Sequence, residues 1–202
     1  MKQPASKTEC SFREKGSKFI GFLLPVDSKT VFETELDQLK NTYPDATHHC
    51  YAWRLNAAQV QEFAQDDGEP SGTAGLPILN QLKSYEVINA AIVVVRYYGG
   101  TNLGKSGLIE AYGGAARKCL QRAQLTPIEL IWKVKINYPY AEQNTIEQLM
   151  HQFELSEINS KYAEAVTLLL GCPVQHKEAL QTRLEQLSHR NIESTMLEKS
   201  YR

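Results

Sequence analysis

The apolar positions in the first part of the chain predict several strands and one amphipathic helix. A β-rich run after the Gly16-Ser17 turn predicts a hairpin over residues 13–26. From residue 28 onwards the apolar side chains recur at i, i+4 and i+7, the spacing of one helix face: Phe32, Leu36 and Leu39. Further strands are predicted at residues 48–55, 59–65 and 90–95. The last of these is a continuous β-branched run, so we expect it at the centre of the sheet.

Two more helices are predicted directly after loops that contain glycine. The acidic loop at residues 66–72 precedes a helix at 74–83, for which Ser71 or Thr73 is the predicted N-cap. A second glycine-rich turn precedes a helix at 106–123, because the apolar residues there again have helical spacing.

The rest of the chain has a pattern of its own. After Pro127 apolar and polar residues alternate, which predicts a strand, and this strand is followed by a helix, two strands, a second helix and a last strand. The order βαββαβ is that of the ferredoxin-like unit. The sequence therefore predicts an α+β protein with two domains, residues 1–125 and 126–202.

Composition limits the function classes that need to be considered. The chain has 202 residues and a formal net charge of -1, from 22 basic and 23 acidic residues. No overall positive field attracts nucleic acid, so any contact with phosphate must be local. The four cysteines are widely spaced and form no C-x-x-C pair. The sequence lacks a signal-like apolar core and the roughly 20 apolar residues of a membrane span, so we expect a cytoplasmic protein.

Residues 99–106 match the G-x-x-x-x-G-K-[ST] phosphate-loop pattern and lie between a predicted strand and a predicted helix. In that interpretation backbone N–H groups hold phosphates, Lys105 balances their charge and Ser106 holds magnesium. The sequence has no later apolar strand ending in the Asp that a nucleotide hydrolase uses to position its metal. Two other interpretations stay open: a helix N-terminus that binds phosphate without hydrolysing it, and glycines that serve the turn alone.

Imidazole and acidic groups suggest a second kind of site. His48 and His49 could join Asp66, Asp67 and Glu69 in a hard-metal or hydrolytic site, since both group types are suitable ligands. No H-E-x-x-H motif is present, and Asp-Gly turns are common for conformational reasons alone. His48, His49 and Asp66 are therefore weak metal candidates, and no cofactor is predicted.

Three segments stand in a specific order: HHCYAW at residues 48–53, DDGEPSGTAG at 66–75, and VRYYGG at 95–100 with Leu103-Gly104. Together with the βαββαβ tail, they resemble the YigZ/IMPACT family over nearly the whole chain. The resemblance implies a βαβ sandwich like a small-subunit ribosomal protein and domain IV of elongation factor G, followed by a ferredoxin-like domain. It also implies that eukaryotic relatives regulate translation initiation under stress, whereas the bacterial branch has no settled activity.

The resemblance implies a functional surface made of seven residues: Asp67, Glu69, Arg96, Tyr97, Tyr98, Gly99 and Gly100. With Lys105 and Ser106 of the phosphate-loop pattern, they are the predicted ligand-binding or phosphate-binding residues, and no catalytic residue is assigned. We expect the acidic-glycine segment and the tyrosine-glycine segment to converge on one open groove of the first domain.

The leading hypothesis is a non-catalytic regulatory or binding protein of the translation machinery. Its partner would be RNA, the ribosome or a translation-regulatory protein, with no membrane contact and no sequence-specific DNA binding, and the oligomeric state is left open. The alternative is a hydrolase, acting on nucleotides through the Gly99 to Ser106 loop or on other substrates, such as peptides, through a metal. A third hypothesis is architectural, with Arg96, Asp67 and Glu69 buried and mutually paired.

Overall fold

The computed structural model describes residues 1–201 and divides the chain into two compact units. The first unit is Met1–Ile128 and the second begins at Glu129. The sequence placed the boundary slightly earlier, after residue 125. Residues 125–127 belong to the first unit because they form a strand that pairs with residues 2–4.

The first unit contains both strands and helices. Its strands are β1 (Lys2–Pro4), β2 (Thr8–Glu14), β3 (Ser17–Pro25), β4 (His48–Leu55), β5 (Gln61–Gln65), β6 (Ala90–Tyr97) and β7 (Leu125–Pro127). Its helices are α1 (Lys29–Thr42), α2 (Gly75–Ser84) and α3 (Gly104–Arg122). Among the helices of the described residues, none has both the length and the apolar character needed to cross a bilayer.

The centre of the first unit is an antiparallel sheet of five strands in the order β2-β3-β6-β4-β5. β6 lies in the middle, as its continuous β-branched sequence predicts. Alternate residues of β6 face opposite layers: Ile92 and Val94 pack with α2 and α3, whereas Ala91 and Val93 pack with α1. Helices therefore cover both faces of the sheet.

The N-terminus of α2 is capped differently from the prediction. Thr73 donates its hydroxyl to the carbonyl oxygen of Pro70 at 2.6 Å. Asp66 Oδ1 instead accepts the backbone N–H groups of Ala74 at 3.0 Å and Gly75 at 2.8 Å. The predicted cap, Ser71 or Thr73, is therefore wrong, because a carboxylate further upstream takes the N–H groups that a cap would satisfy.

The second unit has the predicted βαββαβ order. Its elements are β8 (Leu130–Tyr138), α4 (Gln143–Gln152), β9 (Ser156–Tyr162), β10 (Val166–Pro173), α5 (Lys177–Leu187) and β11 (Glu193–Tyr201). The strands form an antiparallel sheet in the order β11-β8-β10-β9, which is the ferredoxin-like arrangement. Val134 and Ile136 of β8 pack with Leu149 of α4 and Leu180 of α5. The predicted two-domain α+β fold is confirmed.

Candidate functional site

An open groove of about 550 Å³ lies in the first unit, where β6 ends and α3 begins. Four of the predicted ligand-binding residues line this groove: Glu69, Arg96, Tyr98 and Lys105. His48, a weak metal candidate, lines it as well. The structure thus places parts of the acidic-glycine and tyrosine-glycine segments around one opening.

Asp66 uses its carboxylate inside the acidic loop rather than in the groove. Oδ1 caps α2, and Oδ2 accepts the backbone N–H of Gly72 at 2.8 Å. Both oxygens are thereby engaged by backbone donors, as in other carboxylate caps. Asp66 therefore organises the loop and holds it against α2.

Asp67 ties the acidic loop to β4. Its Oδ2 accepts the backbone N–H of His49 at 2.6 Å, and its carbonyl oxygen lies 2.7 Å from Nδ1 of His48. A carbonyl oxygen only accepts, so Nδ1 of His48 carries the hydrogen. Asp67 has a φ of 47°, which Asp tolerates better than most residues. Asp67 does not line the groove, in contrast to its predicted role.

The weak metal candidates do not come together. Successive side chains of β4 point to opposite faces, and His49 is buried while His48 lines the groove. Burial lowers the pKa of His49 below its ordinary value, because the charged form loses hydration. Within residues 1–201 no group of three or more His, Cys, Asp or Glu side chains is arranged to hold a metal ion.

Glu69 and Arg96 form a buried ion pair at the base of the groove. Glu69 Oε1 accepts from Nη1 of Arg96 at 2.5 Å and from the hydroxyl of Tyr112 at 2.7 Å. Nε2 of His48 lies 3.8 Å from the same oxygen. The side chains of Glu69 and Arg96 are only 4% and 6% exposed. The architectural interpretation therefore describes these two residues, whereas Asp67 is bonded to backbone.

One N–H donor of Arg96 has no acceptor in the structure described. Its Nη2 donates to Oγ of Ser17 at 3.3 Å. Its guanidinium lies over the ring of Phe19 at 5.5 Å and over the ring of Tyr98 at 5.4 Å. Nε is buried and has no hydrogen-bond partner among the described residues. An unpartnered donor at that depth is unusual, because a buried N–H normally finds an acceptor.

The tyrosines that follow Arg96 have different surroundings. Tyr97 turns away from the groove and donates its hydroxyl to Asp45 at 2.9 Å. Tyr98 lines the groove with 46% of its surface exposed. Its backbone N–H donates to Thr47 and its hydroxyl donates to Asn102, so the ring is held at both ends.

The glycines of this turn serve two geometrical purposes. A Cβ on Gly99 would lie 2.0 Å from the backbone carbon of Gly16, so only glycine allows the turn to approach the β2–β3 hairpin. Gly100 and Gly104 have φ of 83° and 71°, a region that favours glycine. Gly99 and Gly100 do not line the groove, and Ser106 is exposed on α3 outside it.

The N-terminus of α3 opens into the groove. The helix begins at Gly104, two residues before the predicted start at Ser106, and Gly104 and Lys105 line the groove. Leu103 occupies the N-cap position, and no side chain in the described part of the chain accepts from the N–H groups of the first turn. Helix N-termini carry a partial positive charge and N–H groups that need acceptors. Unlike α2, α3 leaves these groups available.

Sequence reasoning missed the apolar wall of the groove. Leu103 and Leu108 line it, together with Pro70 of the acidic loop and the polar residues Thr47 and Asn102. A signal was present for Leu103, which belongs to the family segment. Thr47 and Leu108 have no comparable motif, because they reach the groove only through the packing of β4 and α3.

Two buried groups close to the ion pair are poorly suited to catalysis. Burial raises the pKa of the Cys50 thiol, which donates to the carbonyl oxygen of Asp66 at 2.9 Å. Burial likewise raises the pKa of Tyr112, which donates to Glu69. Both groups therefore stay protonated, and Cys50 has no thiolate for nucleophilic attack.

The direction of β6 does not fit the phosphate-loop interpretation. β6 runs antiparallel to both of its neighbours, unlike the parallel strands that nucleotide-hydrolase folds place before a phosphate loop.

Comparisons with known proteins agree with this organisation. Residues 15–120 match the Impact N-terminal domain, and residues 136–189 match a domain of unknown function, DUF1949. IMPACT family member YigZ of Escherichia coli is 33% identical over 199 residues, which cover 97% of each chain. Protein IMPACT of Homo sapiens is 34% identical over 96 residues, covering 45% of this chain and 29% of that protein.

A solved structure extends the match to three dimensions. The crystal structure of a protein described as hypothetical has 33% sequence identity and a TM-score of 0.66, and covers 98% of this chain and 97% of its own. Both matched domains, their order and the near-complete coverage agree with the segments that the sequence singled out. The chain therefore belongs to the YigZ/IMPACT family.

Proposed function

We propose that this chain is a non-catalytic binding protein of the translation machinery, acts in the cytoplasm, and uses the groove as its contact surface. The observation that carries the proposal is the groove itself, which is lined by residues of all three family segments, by the start of an uncapped helix and by an exposed tyrosine. Family membership supports the translation role, since the resemblance implies that eukaryotic relatives regulate translation initiation.

The surroundings of the three acidic side chains argue against the hydrolase alternative. The carboxylates of Asp66 and Asp67 are bonded to backbone N–H groups, and Glu69 is paired with Arg96. A general base or a metal site would need at least one of these carboxylates to be free to contact a substrate or ion. The same polar groups instead hold the groove in shape, as a preformed binding surface requires.

Co-sedimentation with ribosomes tests the proposal. We expect the chain to sediment with ribosomes at low salt and to be released as salt rises, because its contacts with phosphate are electrostatic. Lys105→Glu should weaken sedimentation several-fold, since it reverses the charge at the groove. Lys40→Glu is the matched control, because Lys40 is exposed on α1, which packs on the opposite face of the sheet. Equal loss in both variants, or no sedimentation at any salt, would contradict the proposal.

A further inference from the structure

Two unsatisfied features of the groove point to an anion. The first-turn N–H groups of α3, a helix of 19 residues, have no side-chain acceptor within the described residues. Independently, Nε of Arg96 has no partner in that part of the chain, although Arg96 is only 5% exposed. Gly104, where α3 begins, and Arg96 both line the groove. A phosphate oxygen at the N-terminus of α3 would supply the acceptors that the first-turn N–H groups lack, beside a guanidinium that still has an unpartnered donor.

The charges around the groove favour one phosphate group. Lys105 lies on the first turn of α3 and is exposed. Glu69 is the carboxylate among the groove residues, and its charge is balanced by Arg96 at 2.5 Å. The remaining charge at the opening is positive, from Lys105 and the partial charge of the helix N-terminus. Because only one lysine is present, the groove suits a single phosphate rather than a highly charged polyphosphate.

Tyr98 gives the groove a second element, a surface for stacking. Its ring lies over the Arg96 guanidinium, its hydroxyl donates to Asn102 at 3.2 Å, and nearly half of its surface is exposed. A fixed, exposed ring beside a phosphate site is how proteins bind single-stranded nucleic acid, because every base has a face that can stack. A duplex does not offer such a face, since its bases are stacked on one another.

We propose that the groove binds single-stranded nucleic acid, with one phosphate at the N-terminus of α3 beside Lys105 and Arg96 and an adjacent base on Tyr98. This inference rests on the proposed function, which makes RNA the strand that the groove meets in the cell. The donors here engage phosphate and the ring engages a base face. Binding is therefore tolerant of sequence.

Fluorescence anisotropy with a labelled oligouridylate and the full chain tests the proposal. Tyr98→Ala should weaken binding about tenfold, because it removes one base-stacking contact. Tyr98→Phe should lose much less affinity than Tyr98→Ala, since it keeps the stacking ring and removes only the hydroxyl bond to Asn102. Circular dichroism of each variant checks that the fold is retained, which is expected at a half-exposed position.

The salt dependence of the same binding curves identifies the phosphate contact. Lys105→Gln should lower the slope of log K against log salt by about 0.7, the value for one phosphate of a single strand. Lys40→Gln removes the same charge from the opposite side of the sheet and should leave the slope unchanged. A duplex of the same length should bind markedly more weakly than the single strand.

Three results would overturn the inference. These are no binding of the single strand at low salt, equal affinity for duplex and single strand, and full affinity of the Tyr98→Ala variant. If the chain sediments with ribosomes but fails these tests, its ribosomal contact is with protein, and only the inference is lost. If the single strand binds but ribosomes do not, the proposed function is wrong while the groove chemistry stands.

Discussion

The N-termini of α2 and α3 follow similar loops but are treated differently by the fold. Before α2, the acidic loop supplies Asp66, whose carboxylate accepts three backbone N–H groups. Before α3, the tyrosine-glycine loop supplies Leu103 at the N-cap and no side-chain acceptor within residues 1–201. The acidic loop has more charged side chains, but its carboxylates are already bonded within the protein. The loop with fewer charged residues leaves donors available for a ligand.

The acidic and basic side chains around the groove differ in the same way, since the acidic ones have partners and the basic ones keep a donor that has none among the described residues. The carboxylates of Asp66, Asp67 and Glu69 all have partners within the protein. The cationic side has an exposed Lys105 and an unpartnered Nε of Arg96. A binding surface is thus defined by the groups that remain uncommitted after folding, not by the number of charged residues in its motif.

The largest effect is expected where the two loops meet, at the Glu69–Arg96 pair. Glu69→Ala should lower the free energy of unfolding by about 3–5 kcal/mol, because it leaves Arg96 buried without its counter-charge. The double variant Glu69→Leu with Arg96→Leu should regain part of that loss, since no buried charge remains. Urea denaturation of all three proteins measures both effects. A single variant as stable as the unchanged chain would show that the pair does not join the loops.

A smaller effect should separate the two reasons for glycine in the tyrosine-glycine loop. Gly99→Ala should cost about 3 kcal/mol, because its Cβ would overlap the backbone of Gly16. Gly100→Ala has open space around it and only a positive φ, so about 1–2 kcal/mol is expected. Thermal or urea unfolding of the pair gives the comparison. The reverse order would mean that the close approach to the hairpin is not what fixes this loop.

The next largest loss of stability is expected when the group that caps α2 is removed. Asp66→Ala should lower the free energy of unfolding by about 2 kcal/mol, the upper end for a cap, because three N–H groups lose their acceptor. Asp37→Ala, the same change at an exposed position of α1, should have little effect. Urea denaturation compares the two variants. Equal stability would indicate that α2 is no better capped than α3.

The smallest effect is a pH dependence of stability that arises from His49 of β4. Burial lowers the folded-state pKa of His49 below the ordinary 6.5. Above pH 6.5 the residue is neutral in both states and adds nothing, whereas below it the unfolded chain takes up a proton that the folded chain resists. Stability should therefore fall as the pH drops below 6.5, and His49→Gln should reduce this loss. Urea denaturation at several pH values measures both effects, and a His49→Gln variant with the same pH dependence as the unchanged chain would contradict the prediction.

Much of the fold could be predicted because local patterns determine it. The β-branched run of β6 and the helical stripe of Phe32, Leu36 and Leu39 each bury one recognisable set of side chains. The starts of α2 and α3 were less predictable, since N-terminal boundaries depend on which distant group accepts their N–H bonds. The strand pair β1–β7 was missed, because three-residue strands carry too little periodic signal.

The sequence by itself determined the order of the longer strands and helices, the family, and the acidic-glycine and tyrosine-glycine segments, both of which border the groove. The tertiary structure alone decided which residues of those segments are available, because hydrogen bonds such as Tyr112 to Glu69 join parts of the chain far apart in sequence. The spacing of apolar residues along the chain predicts which side chains are buried. The hydrogen-bond partner of each polar group depends instead on how the elements pack. For that reason Asp67 became part of the framework, whereas Tyr98 and Lys105 remained at the surface of the groove.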